Sequence, residues 1–221
     1  MKSDEVARYL QDNPQFFEEH AELVSHMVIP HPHGGRTISI TERQMLSLRD
    51  KNRQLESKMS ELLQFGEEND SISEKMHRLG VAMVAAANFQ AVLHTLNFHL
   101  RDDFAVPHEA MRLWARPDKI AVQPEAMPEF AEVSDELQSF AEGLVQPYCG
   151  STSGFETSSW FGEAAKHIRS QALIAMRNGG GTIGMIALGS EDAQRFYAGM
   201  GTLYLERLGE MASAALARVL R

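Results

Sequence analysis

Cysteine is nearly absent from this sequence, which holds a single one, Cys149, among 221 residues. One cysteine cannot form a disulfide within the chain or supply a cysteine-rich zinc site, a pattern typical of a reducing compartment. Long apolar runs are also lacking: the longest, residues 79–87, is well short of the roughly 20 residues that cross a bilayer. The first residues lack the apolar centre of a signal peptide. We therefore expect a cytoplasmic protein that does not interact with a membrane.

Basic residues are outnumbered in this chain, since 21 Lys and Arg stand against 30 Asp and Glu and give a net charge of −9. The resulting field repels phosphates, so we expect no nucleic-acid partner. Apolar residues make up 43% of the chain, which is sufficient for one buried core and an extension.

A long helix is predicted from Thr41 onward, because Thr41 and Gln44 form a capping-box pattern and neither Gly nor Pro follows until Gly66. Along it, steps of three and four residues define the a and d positions of a heptad coiled coil. This heptad seam consists of Met45, Leu48, Asn52, Leu55, Met59 and Leu62. A single Asn at an a position favours two parallel helices in register, since each amide bonds its mate. The seam therefore predicts a parallel homodimer.

Beyond Leu62 the strict heptad register meets polar or small residues at Gly66, Asn69 and Ser73. A slip of three residues restores an apolar pattern. That pattern passes through Phe65, Asn69, Ile72, Met76, Leu79 and Met83. On this interpretation the dimer seam covers residues 45–83. The alternative is that the helix packs on its own domain.

The N-terminal arm, residues 1–40, carries more apolar surface than two short helices can bury against each other. The residues responsible are Phe16, Phe17, Leu23, Val24, Met27, Val28 and Ile29. The arm is expected to be covered by the coiled coil of the dimer mate or by a separate partner protein. We favour the dimer mate, because an uncovered patch of this size promotes aggregation.

The C-terminal part of the chain shows helical periodicity again after residue 88 and then changes to strand periodicity. Alternation over residues 111–115 predicts a strand that pairs with residues 120–122. Two further strands, residues 172–176 and 183–188, flank a turn of one Asn and three Gly.

The remaining segments complete the predicted architecture. Residues 134–145 and the C-terminal stretch have helical stripes, and residues 147–161, which include Cys149, are predicted to form a loop. Antiparallel strands with helices at the ends indicate an α+β domain over residues 88–221. It follows the arm, 1–40, and the coiled-coil helix, 41–87.

Short motifs along the whole chain resemble a known family. Ser170-Gln171-Ala172-Leu173-Ile174 and Gly184-Met185-Ile186-Ala187-Leu188-Gly189-Ser190 resemble the closing half of a GAF domain. The wider set is Tyr9-Leu10, Asn13-Pro14-Gln15-Phe16-Phe17, Ile29-Pro30-His31, Thr41-Glu42-Arg43-Gln44, Pro147-Tyr148-Cys149-Gly150, Gly189-Ser190-Glu191-Asp192, Arg195-Phe196 and Met200-Gly201-Thr202. This set resembles the bacterial domain-of-unknown-function family labelled 484. The resemblance implies a GAF-like antiparallel sheet flanked by helices, and it implies no activity.

A GAF-like fold implies a small-molecule pocket between the sheet and the elements that cover it. Aromatic residues and one arginine at the corresponding places are the candidates for its lining. They are Arg112, Trp114, Phe130, Phe155, Trp160 and Phe161. Arg112 shares a strand face with Trp114 and would bind an anionic ligand. The alternative is that these aromatics are ordinary core, and neither the ligand nor any cofactor is identified by the sequence.

Catalysis is disfavoured because no nucleophile–base pair and no set of metal ligands has a suggestive spacing. Cys149 is a possible redox residue, but it has no resolving partner, and burial is the favoured alternative. The sequence therefore predicts a non-enzymatic sensor or regulatory module that binds a small molecule and signals to a partner protein. The alternative is a ligand-free structural adaptor dimer.

Overall fold

The computed structural model describes residues 2–30, 37–114 and 127–220. The chain forms two compact units, Met1–Glu68 and Asn69–Arg221. No helix in the described ranges is both long enough and apolar enough to cross a membrane.

The first unit begins with three short helices and a two-stranded ribbon. Helix α1 begins where the Lys2 amide donates to the Glu5 carboxylate, and it ends at Asn13, whose side chain donates to the Tyr9 carbonyl at 2.9 Å. The elements are α1 (Ser3–Asp12), α2 (Gln15–Glu19), α3 (Ala21–His26), β1 (Val28–Pro30) and β2 (Thr37–Ser39). Strands β1 and β2 are antiparallel. The sequence did not predict this ribbon, because three-residue strands are too short to show alternation.

Helix α4 (Ile40–Ala85) is 46 residues long and confirms the predicted long helix. Every residue from 42 to 71 is exposed, whereas Met76, Leu79 and Met83 are buried in the core of the second unit. The alternative, in which the helix packs on its own domain, is therefore correct for the last turns. Met76, Leu79 and Met83, which the predicted seam over residues 45–83 assigned to the dimer, face the protein's own core, because the same apolar spacing serves an internal core.

The second unit is α+β, as predicted, with a four-stranded antiparallel sheet. Its regular elements are α5 (Phe89–Asp102), β3 (His108–Leu113), α6 (Asp135–Gly143), β4 (Tyr148–Gly150), β5 (Ser170–Asn178), β6 (Gly181–Ser190) and α7 (Leu203–Val219). The sheet order is β3-β6-β5-β4. Two 3-10 segments, Pro128–Phe130 and Glu156–Lys166, precede α6 and β5 respectively.

Local sequence explains where several of these elements begin. Asn88 and Ser134 cap α5 and α6 by accepting from the amides of Ala91 at 2.9 Å and Leu137 at 3.2 Å. The β5–β6 turn is the predicted one, and its Gly179 and Gly180 have φ of 61° and 98°.

Strands β3 and β4 differ from the predicted pattern of strands. The predicted partner of β3, residues 120–122, lies outside the described residues, and β3 pairs with β6. The predicted loop over residues 147–161 is partly wrong, because β4 forms there and pairs with β5. Strand β4 was missed because it is only three residues long.

The sheet separates two apolar clusters, because alternate residues of a strand point to opposite faces. On β5, Ala172, Ile174 and Met176 join the cluster that contains the end of α4, α5 and α7. Leu173 joins the other cluster, with Leu137 and Ala141 of α6 and Phe161. The buried end of α4 thus packs on one face of the sheet and α6 packs on the other.

Polar contacts also hold the end of α4 in place. Arg78 donates to Asp103 at the end of α5 over 2.8 Å. His99 also bonds the Asp103 carboxylate, and the hydrogen bonds from His99 and Arg78 lower the pKa of that carboxyl. Arg218 of α7 donates to the carbonyl of Met83 at 3.0 Å, which satisfies a backbone acceptor at the end of α4.

Helix α7 approaches the sheet closely at Gly209, where an added Cβ would lie 2.6 Å from Cγ2 of Ile174. We predict that Gly209→Ala lowers the free energy of unfolding by about 1–3 kcal/mol, because overpacking outweighs the gain in helix propensity. Gly66→Ala in α4 is the matched control, since a Cβ at Gly66 has no neighbour within 4 Å. Urea unfolding measures both variants. An equally stable Gly209→Ala protein would contradict this close packing.

Candidate functional site

The predicted ligand-binding residues of β3 make contacts within the protein. Trp114, just after the strand, donates its indole N–H to the Thr182 carbonyl over 2.8 Å. Arg112 lies with its guanidinium carbon 4.9 Å from the centre of the Trp160 ring and donates to the Met111 carbonyl. The side chains predicted to bind a ligand are thus engaged with one another and with the backbone.

The electrostatic surroundings of Arg112 do not favour an anionic ligand. Burial lowers the pKa of the Arg112 guanidinium, and the negative charges of Glu129 and Glu156 oppose that shift. Glu156 also accepts a hydrogen bond from the Ser134 amide at 3.3 Å, which fixes its carboxylate near α6. Two carboxylates of the chain therefore already contribute negative charge around Arg112.

The predicted aromatic residues fall into two clusters rather than one pocket. Phe155 packs against Phe140 and Tyr148, with ring centres 5.3 and 4.9 Å away, and Trp160 and Phe161 belong to the same cluster. Phe130 belongs to the opposite cluster, 5.4 Å from Phe89 of α5. The sheet lies between these two clusters. Tertiary packing, rather than residue type, decides towards which face an aromatic side chain points.

A groove of about 340 Å³ does bring Trp114 and Phe130 together at the end of β3. We call it the β3 groove. Its lining is Leu113, Trp114, Phe130, Ala131, Glu132, Val133, Asp135 and Gln138. Arg112 is not part of it, whereas Glu132 and Asp135 supply two carboxylates. Sequence reasoning missed both, because acidic residues before a helix are explained by the helix dipole alone.

Two further carboxylates line a small cavity of about 80 Å³ between α5 and β3. Burial raises the pKa of Glu109 from its ordinary value of 4.5 to about 6, although Arg101 opposes the shift. Glu129 Oε2 is buried and has no hydrogen-bond partner within the described part of the chain. Across the same residues, no three His, Cys, Asp or Glu side chains are grouped to hold a metal ion.

Cys149 is buried in β4, opposite Ala172 of β5. Burial raises the pKa of the Cys149 thiol. A raised pKa reduces the reactive thiolate, so this environment is that of a structural cysteine. The favoured expectation of burial is confirmed, and the setting gives no support to the possible redox role.

The apolar residues of the heptad seam are exposed in the structure. The exposed fractions are 52% for Met45, 62% for Leu48, 65% for Leu55, 59% for Met59 and 66% for Leu62. The arm also exposes apolar side chains, with Tyr9 at 54%, Phe17 at 46% and Leu23 at 56%. The heptad seam of α4 and the arm, both in the first unit, are therefore candidate interaction surfaces.

The comparison with known families is decisive. Residues 1–220 match the family described as protein of unknown function, DUF484. This chain belongs to DUF484. Two similar relatives are both named uncharacterized protein YigA: the one from Salmonella typhimurium is 29% identical over 96% of this chain and 90% of its own length. The one from Escherichia coli K12 is 28% identical over the same shares.

Two solved structures resemble this DUF484 protein. The native GAF domain of the potassium sensor histidine kinase KdpD from Escherichia coli has a TM-score of 0.41 and 14% identity, and covers 66% of this chain and 94% of its own. The GAF domain of a putative sensor histidine kinase from Pseudomonas syringae pv. tomato has a TM-score of 0.41 and 15% identity, over 69% and 90%.

Glu109 provides a test of the cavity between α5 and β3. Because burial places its folded pKa, about 6, above its ordinary 4.5, the ionised carboxylate destabilises the fold above pH 6, and that cost disappears as the pH falls to 4.5. We predict that Glu109→Gln raises the free energy of unfolding at pH 7.5 by about 1 kcal/mol, since solvent screens part of the charge. At pH 4.5 the same substitution should leave the free energy of unfolding nearly unchanged.

Urea unfolding at the two pH values measures this difference. The exposed Glu163 provides the control, since Glu163→Gln is expected to leave stability the same at both. A Glu109→Gln protein that is less stable at pH 7.5 would mean that the carboxylate has a favourable partner.

Proposed function

We propose that this protein is a non-enzymatic regulatory module that works as a homodimer and signals to a partner protein through its N-terminal arm. The observation that carries the proposal is the bare half of α4, residues 42–71, where every residue is exposed and the heptad seam lies unpaired along one side. A second copy of the same helix is the simplest complement to this seam.

The energetics favour pairing. Most helical stability in proteins comes from tertiary packing of an apolar face, so the bare half of α4 would be stabilised by a partner that covers its seam. Burying one large aliphatic side chain stabilises a structure by about 1.5–3 kcal/mol. The five apolar seam residues of each copy, Met45, Leu48, Leu55, Met59 and Leu62, would together outweigh the roughly 4–15 kcal/mol that association costs.

Asn52 supports a parallel arrangement. Its side-chain amide donates to Glu56 on the next turn over 3.0 Å, which is an exposed contact within the helix. In a dimer the Asn52 amides would exchange this bond for one across the seam, which a parallel register permits. Asn52→Leu should therefore stabilise the assembly, and it should also allow oligomers of more than two chains to form.

Disruption of the seam tests the dimer. We expect the wild-type protein to have about twice the chain mass of 24.7 kDa, and Leu55→Asp with Leu62→Asp to reduce it to the single-chain mass, because buried carboxylates lack partners. Ser57→Asp is the matched control: it lies at the outer f position of the same exposed helix and should remain a dimer. Sedimentation equilibrium measures all three, and a monomeric wild type or a dimeric double variant would contradict the proposal.

The arm is tested by removing residues 1–40. If the arm covers the coiled coil of the mate, the truncated protein should melt at a lower temperature and self-associate, because the surface that the arm covered becomes bare. If the truncated protein stays dimeric, soluble and equally stable, the arm is a docking element for another protein. A pull-down with the full-length and truncated proteins as baits then identifies partners that need the arm.

Small-molecule sensing is the second candidate, and the β3 groove favours it. Its aromatic lining, Trp114 and Phe130, together with the carboxylates of Glu132 and Asp135, suits an organic cation rather than the anion expected from Arg112. We predict that an ammonium compound among a matched set of cations and anions raises Tm, since a ligand of the folded state stabilises it. The double variant Glu132→Gln with Asp135→Asn should abolish that rise in Tm. If no compound in the set raises the Tm of the wild-type protein, the ligand-free adaptor is favoured.

A further inference from the structure

Helices α4 and α7 leave an apolar groove of about 670 Å³ along the second unit. We call it the α4–α7 groove. Its α4 side includes Gly80, Val81 and Val84, and its α7 side includes Met211 and Ala214. Val81 is 57% exposed and Val84 is 78% exposed, so one wall of the groove is an uncovered aliphatic ridge.

The strict heptad register leads into this groove. Counting in sevens from Met45 at position a places Gly80 at a and Met76 and Met83 at d. All three line the α4–α7 groove. Leu79, which the three-residue slip would place in the dimer seam, is instead fully buried in the core of its own unit. Met76 and Met83 are likewise buried in that core, so of the three only Gly80 is partly exposed in the groove. The exposed Val81 and Val84 lie beside it at the b and e positions.

The shape of the groove suits a second copy of itself. Its floor has small residues, among them Gly80, Ala214 and Ala215, beside the ridge of Val81 and Val84. Across a twofold axis, the ridge of each copy can enter the small-residue floor of the other, because such an interface uses the same patch twice.

The charge of the groove agrees with an apolar occupant. No acidic residue of the described chain lines it, and its two basic residues are the exposed His77 and Arg218. Arg218 donates to the backbone carbonyls of Met83 and Ala86 at the end of α4. This guanidinium is therefore occupied in capping a helix, and the exposed ridge presents only aliphatic side chains to a partner.

We infer that the α4–α7 groove is covered by the same groove of a second copy, so that the dimer interface extends from the heptad seam into the second unit. This inference rests on the proposed homodimer. It adds that α7, which packs on β5 of the sheet, lies at the interface. A change in the sheet domain therefore has a direct route to the contact between copies.

Cross-linking of single cysteines tests this placement in the full-length chain. In a Cys149→Ser background, we introduce Val84→Cys in the groove, Leu55→Cys in the heptad seam, and Ser71→Cys at an exposed outer f position of α4. A short bismaleimide joins two thiols only where they lie close together. We expect the Val84→Cys and Leu55→Cys proteins to shift to twice the chain mass, and the Ser71→Cys protein to stay at the single mass.

The other outcomes separate the two proposals. Cross-linking at Leu55→Cys without cross-linking at Val84→Cys would leave the dimer standing and overturn the groove interface. Failure at both positions would overturn the homodimer itself. A Val84→Cys thiol that is shielded from a monofunctional maleimide but never cross-links would mean that the arm or another protein covers the groove, which also contradicts the inference. Val81→Cys repeats the test if Val84→Cys misfolds.

Discussion

The packing of one end of α4 determines much of this structure. Leu79 and Met83 are buried with α5 and α7 on one face of the sheet, and Arg218 binds the carbonyls at the end of the helix. The other half, residues 42–71, is exposed at every position. Because most helical stability in proteins comes from tertiary packing, a partner that covers the bare half would stabilise it. The proposed dimer follows from this constraint.

In the second unit, one face of the sheet is packed with apolar side chains, and a groove lies at the end of the edge strand β3. Beneath α6, Phe155 and Phe161 pack in an apolar cluster. Arg112 stacks on Trp160, in the negative field of Glu129 and Glu156. Space for a ligand lies instead in the β3 groove, which Glu132 and Asp135 make acidic. A cation bound there would act on β3, at the edge of the sheet whose inner strand β5 supports α7. In the proposed dimer, such a cation would be connected through the sheet to α7 and so to the contact between copies.

Sequence periodicity predicted the long elements and failed where the signal was short or ambiguous. The length of α4 and the β5–β6 turn were predictable, because an uninterrupted helical stretch and an Asn-Gly turn have strong local causes. Strand β4 was not, since three residues show no alternation. The apolar spacing around Leu79 could not distinguish a dimer mate from the protein's own core. Phe130 was predicted to line one pocket with Phe155 and Phe161, but it packs with Phe89 in the other cluster, because its direction depends on tertiary packing.

Hydrogen exchange along α4 tests the central claim most directly, because it reports whether the bare half is a paired helix in solution. The account predicts that amides of residues 45–65 are strongly protected at micromolar concentration and lose protection on dilution, while those near Leu79 stay protected by the core at every concentration. Exchange of residues 45–65 as fast as in an unfolded chain at all concentrations would contradict the dimer. Protection that does not depend on concentration would equally contradict a reversible pairing of two copies as its source.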